Sequence, residues 1–213
     1  GMTHDAQLRE PAQRAIDFIV AAQHQEGGWR YRPGEAGDTS VVGWQVMALK
    51  SAQMAELDVP PQTLDKARQF IQRVQYSRGE FKYQRSSHGS PAMTAEGLLC
   101  HQYLGASRGD SRLQEGAKYL LDHVPQAGRD TSYCWYYGNQ VMYHMQGEYW
   151  QQWNEAMKET LRNTQKQDGA VAGSWYPKDK WEQSGGRLYS TSLRVLMLEV
   201  YFRHLPLYED YAK

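Results

Sequence analysis

The chain has 213 residues, enough for one domain with a sizeable core, and its hydrophobic content of 40% is lean for a globular protein. Lys plus Arg and Asp plus Glu each total 24, so no net charge draws in nucleic acid or an anionic membrane, and neither is expected as a partner. Cys100 and Cys134 are too few for a disulfide framework and read as free thiols in helices, and no apolar run approaches a signal peptide or a membrane span. Gly1 before Met2 looks like a tag remnant, with residues 1–10 a disordered lead. If Met2 is a native start, a soluble, cytoplasmic protein is favoured.

After Glu10-Pro11, the residues Ala12, Ala15, Ile16, Ile19 and Ala22 follow one face of a helix that ends near Gln23. Gly27, Gly28 and Trp29 then supply a turn and a large ring. Asp38 is a good N-cap for the apolar stretch Val41 to Leu49, which predicts a second helix buried on all sides. The pair forms a couplet: an amphipathic outer helix, a turn, and an apolar inner helix.

A second couplet opens at Pro60-Pro61. Its outer stripe is Leu64, Ala67, Ile71 and Val74, its turn is Gln75 to Phe81, and its inner helix runs from Ser90-Pro91 to Leu104. Asp110 or Ser111 caps a third outer helix that Pro125 ends, and Asp130 leads into the aromatic stretch Tyr133 to Tyr143. A fourth outer helix is predicted from Asn154 to Gln165, and a fourth inner helix from Ser190 to Tyr201. Gly43-Trp-Gln-Val-Met47 recurs as Gly138-Asn-Gln-Val-Met142. Gly43, Ala95, Gly138 and Ser192 then fall at steps of 52, 43 and 54, as small residues where inner helices would approach each other.

The turn repeats as Gln23, Gly27 and Trp29, as Gln75, Gly79 and Phe81, and in altered form as Gln165 and Gly169, where Val171 replaces the ring and Trp175 comes four residues later. This Gln-x-x-x-Gly-x-Trp signature resembles the repeats of squalene-hopene and oxidosqualene cyclases and of protein prenyltransferase β subunits. The resemblance implies an all-α, α/α toroid of inner and outer helices around a cavity. Four hairpins fall short of a full ring, so an incomplete toroid, with a protein partner or a homo-oligomer completing it, is among the expectations.

The resemblance also sets where chemistry would lie. Cyclases of that family protonate their substrate with Asp-x-Asp-Asp at the start of an inner helix. Here the corresponding segments, Gly37 to Ser40 and Arg129 to Ser132, carry one carboxylate each, Asp38 and Asp130. The prenyltransferases hold zinc with Asp, Cys and His. Asp130, Cys134 and His144 depart from that spacing, and no metal or cofactor is expected. Should the chain be an enzyme, the candidate acids are Asp38, Glu96 and Asp130; otherwise Asp38 and Asp130 are helix caps. Glu96, at the repeat position of Trp44, is either paired in the core or exposed to a cavity.

Trp44, Gln45, Met47, Trp135, Tyr136, Tyr137, Gln140 and Tyr189 are candidate ligand-lining residues, since ring faces stabilise carbocations and stack on sugars. Packing between helices is the competing reading for each. Gly185-Gly-Arg187 before the last inner helix reads as a loop with a cap, or as an anion site. The function expected from these residues is a non-catalytic repeat domain binding an isoprenoid, a glycan or a protein. The alternative is an enzyme acting on an isoprenoid or a glycan.

Overall fold

The computed structural model describes residues 5–129 and 132–203, and about two thirds of the chain is helical, with no strand among the described residues. The helices are α1 (Arg9–Ala21), α2 (Thr39–Met54), α3 (Pro61–Val74), α4 (Pro91–Tyr103), α5 (Ser111–Leu121), α6 (Ser132–Met145), α7 (Gly147–Thr164), α8 (Lys180–Leu198) and α9 (Val200–Arg203). Residues 5–10, expected within a disordered lead, hold a 3-10 turn at Ala6–Leu8 and the start of α1, while residues 1–4 lie outside the described residues.

The starts follow the caps. The Asp38 carboxylate accepts from the Val41 N–H at 2.9 Å, Ser90 Oγ from Met93 at 3.3 Å, and Asp110 from Arg112 at 2.9 Å. Pro61 and Pro91 occupy first-turn positions, where a missing N–H leaves no donor unsatisfied. Two predicted boundaries move. α7 begins at Gly147 rather than Asn154, and α8 begins at Lys180 and breaks at Gly186 (φ 71°), so that only its second part continues as the predicted inner helix.

α2, α4, α6 and α8 pack one against the next in a row, while α1, α3, α5 and α7 lie along them as the partner layer. The two middle members are hidden almost completely: Met93 to Gln102 of α4, and α6 apart from Tyr133 and Tyr143. The end members are not. Contrary to the prediction, α2 is open on one side, with Trp44 47% exposed, because no inner helix covers its outer flank. On α8, Val195 and Leu198 are likewise exposed.

The repeated turn has a mechanical role. Gln23 Nε2 donates to the Gly27 carbonyl and to the Thr63 carbonyl, both at 3.0 Å, tying the end of α1 to its own turn and to the first turn of α3. Trp29 Nε1 reaches back to the Ile19 carbonyl at 2.7 Å. The altered third copy does the same with a longer loop: Gln165 Nε2 donates to Gly173 at 3.0 Å, and Trp175 Nε1 to Leu161 at 2.9 Å. Trp175 is therefore the working ring of that turn.

Of the small residues assigned to inner-helix contacts, Gly43 serves in one, against Glu96 of α4, and Ala95 is fully buried. Gly138 receives Trp153 of the outer helix α7, 2.5 Å from an added Cβ, because that ring needs the space a side chain would fill. Ser192 is exposed, since nothing packs on that flank of α8.

Candidate functional site

The first turns of α2, the middle of α4 and the start of α6 converge on one polar cluster inside an aromatic shell. Glu96 is fully buried and accepts from Tyr133 Oη at 3.3 Å. Tyr133 Oη meets Ser40 Oγ at 3.1 Å and receives Tyr137 Oη at 3.5 Å. The second Glu96 oxygen has no hydrogen-bond partner in the structure. Burial pushes the Glu96 carboxyl well above its usual range, and the charge of Asp38 adds to the shift, against the hydrogen bond from Tyr133 and the neighbouring Tyr137 hydroxyl, which oppose it. Burial outweighs both, so the site favours the protonated acid among its tyrosines.

Asp38, also fully buried, keeps its capping bond to α2, and its other oxygen faces Arg30 Nε at 3.4 Å. The contact is an ion pair without hydrogen-bond alignment, for both atoms lack a hydrogen-bonded partner. Tyr83 lies beside Asp38, its pKa raised by burial first and by that carboxylate second. The structure thus brings two of the three candidate acids, Asp38 and Glu96, within electrostatic reach. Asp130 lies outside the described residues.

Above this cluster Trp44 lies nearly parallel to Tyr136, with centroids 6.5 Å apart and planes at 21°, and edge-on to Tyr137 at 6.1 Å. Trp44 has an open face, and Gln45 and Met47 beside it are half-buried. Trp135, Tyr137 and Gln140 are enclosed, at 2%, 0% and 2% exposure. Gln140 spends its amide on the Tyr136 carbonyl and on Tyr103. Tyr189 lies on α8 against Gly185.

The buried ion pair between Glu182 and Arg194 was not foreseen. Glu182 Oε1 accepts from Arg194 Nη1 at 2.7 Å and from Ser132 Oγ, while Oε2 takes the Lys178 N–H at 2.6 Å. Arg194 also donates to Ser190 and sits over Trp135 at 5.9 Å. Two signals were present in the sequence: Asp179-x-x-Glu182 has the spacing of a capping box, and Arg194 interrupts an otherwise apolar stretch.

Arg187, weighed as part of an anion site, instead bonds Ser174 Oγ at 3.1 Å and covers the Tyr176 ring at 4.1 Å. Cys134 is buried, and no group of three or more His, Cys, Asp or Glu side chains able to hold a metal ion occurs among the described residues. No helix there is long and apolar enough to cross a membrane. No protein-family model matches the chain, and no curated protein matches it significantly.

Proposed function

We propose that the chain is a ligand-binding repeat module of the squalene-cyclase and prenyltransferase-β kind, its four inner helices forming an arc of an α/α toroid. The arc takes an apolar, isoprenoid-like chain against the Trp44 platform. The supporting observation is the open face of Trp44, 47% exposed and braced from behind by Tyr136 and Tyr137. A large ring held rigid by others binds an apolar or ring-shaped partner with little entropy left to lose.

The test is a tryptophan-fluorescence and calorimetric titration with farnesyl diphosphate and, separately, cellotetraose. Saturable binding of the isoprenoid that Trp44→Ala weakens about 10-fold or more supports the reading. Binding of the sugar alone moves the ligand class to glycans, and binding of neither overturns it.

A second reading, an enzyme with Glu96 as its acid, draws on the raised pKa of that carboxyl beside Asp38. It requires product formation that Glu96→Gln abolishes. The complete burial of Glu96 against Gly43, which leaves a substrate no approach, places it second.

A further inference from the structure

Among the described residues the repeat leaves two unmatched surfaces, one on α1 and one beyond α7, and each has the form of the other's partner. Inside the chain, the two Gln-to-aromatic turns that an outer helix follows are each seated on that helix, whereas Gly128 in the turn after α5 meets nothing within 4 Å. A Cβ added at Gly27 would overlap the Lys66 backbone of α3, and one at Gly28 would lie 2.8 Å from the Phe70 ring. A Cβ at Gly79 would overlap Gly116 of α5. The loop that follows α5 touches α7 in turn, where Thr160 Oγ1 donates to the Pro125 carbonyl at 3.0 Å.

The buried stripes of the outer helices, which include the turn contacts Thr63, Phe70 and Thr160, repeat with i, i+4, i+7 spacing. They are Thr63, Ala67 and Phe70 on α3, Leu113, Ala117 and Leu120 on α5, and Trp153, Met157 and Thr160 on α7, all of them buried. Gln75 follows Gln23 by 52 residues, and Phe70 follows Phe18 by the same 52, so the matching set on α1 is Pro11, Ala15 and Phe18. All three are exposed, Phe18 at 64%, because no turn precedes α1 among the described residues.

The last turn shows the converse. Gly169 has the left-handed backbone of Gly27 and Gly79 (φ 70°), yet nothing lies within 4 Å of a Cβ built on it. Where α7 runs into this turn at Gln165 lies a groove of about 700 Å3, which Trp175 and, from α8, Leu198 also line. Leu198, 41% exposed, gives it apolar surface over the buried Leu161 and Trp175, and its charges, Glu155, Lys158, Glu159 and Arg162, cancel. The charges of α1, Arg9, Glu10, Arg14 and Asp17, cancel as well, so neither surface repels the other.

We propose that the chain associates head to tail with a second copy of itself, α1 of one copy seating beneath the Gly169 turn in the α7–α8 groove of the next. The contact reproduces between chains the joint already made within the chain. It is heterologous, and so closes a ring or extends a row according to the rotation per copy. This inference is independent of what binds at Trp44.

Sedimentation velocity and native mass spectrometry at about 0.1 mM, far above a micromolar Kd, provide the test. The wild-type chain should form dimers or larger assemblies. Phe18→Glu, and separately Leu198→Glu in the groove, should each be a monomer with an unchanged circular dichroism spectrum, and Phe18→Ala should weaken assembly without adding charge. An equimolar mixture of the two Glu variants should form a 1:1 dimer and nothing larger, because each retains the surface the other has lost. A wild-type monomer at that concentration, assemblies that survive both substitutions, or a mixture that stays monomeric would overturn the proposal.

Discussion

Glu96 of α4 rests its carboxyl directly on the backbone of α2 at Gly43, in space where any side chain on residue 43 would stand. The two helices approach closely because one position has no Cβ and the other fills the gap with a buried acid.

Replacing Gly43 by Ala should therefore destabilise the fold although Ala is the better helix former. Overpacking costs about 1 to 3 kcal/mol, against about 1 kcal/mol recovered from helix propensity. Urea unfolding measures the difference. The same substitution in a Glu96→Ala background should be close to neutral or stabilising, because the obstacle is gone.

The Glu96 carboxyl sets a pH dependence. Its pKa in the folded chain lies above the unfolded value, chiefly through burial, so the fold is favoured while the group is protonated. As pH rises through the ordinary glutamate pKa towards the raised one, unfolding releases a proton and stability falls, by at most about 1.4 kcal/mol per pH unit. Glu96→Gln should lose this component. Urea midpoints from about pH 5 to 8 should show the variant gaining on the wild type as pH rises, and parallel curves would refute the assignment.

Arg194→Met should be among the most damaging single changes. It strands Glu182 without its cation in a fully buried site, a situation worth about 3 to 5 kcal/mol. Adding Glu182→Gln should recover much of that loss, since a neutral amide still serves Ser132 and Lys178 without an uncompensated charge. Thermal melts of the two single variants and the double variant give the coupling.

The seated and unseated turns should respond differently to the same substitution. Gly27→Ala and Gly169→Ala both meet the left-handed backbone penalty of about 1 to 2 kcal/mol. Only Gly27 also meets the backbone of α3, which should add about 1 to 3 kcal/mol. Melting temperatures in dilute solution compare them, and equal losses would mean that the Gly27 turn is not clamped as described.

The helical plan was legible because it is written in local signals: Asp38, Ser90 and Asp110 as caps, Pro61 and Pro91 in first turns, and apolar spacing between them. The Gln-to-Trp turn was legible as a motif, and its tie from Gln23 to Thr63 became visible only once α3 was in place. What escaped depends on neighbours distant in the chain. Trp44 and the rings of α6 have the same composition, yet Trp44 is open and Trp135 and Tyr137 are sealed, because α2 ends the row and α6 lies within it. Glu182 carried the signature of an exposed cap, and only the approach of Ser132 and Arg194 drew it inside. Gly185 and Gly186 read as a loop before the helix because a glycine pair ahead of an apolar run has the same local pattern whether it precedes a helix or bends one.

The neighbour-to-neighbour stacking of α2, α4, α6 and α8 bears on how the chain comes apart. Structures wired in one dimension fray from their termini, since each end element has half the support of an interior one. Amide deuterium uptake should thus form a gradient, slowest along α4 and α6 and quickest at the two flanks, and heat absorption on melting should spread wider than a single all-or-none event allows.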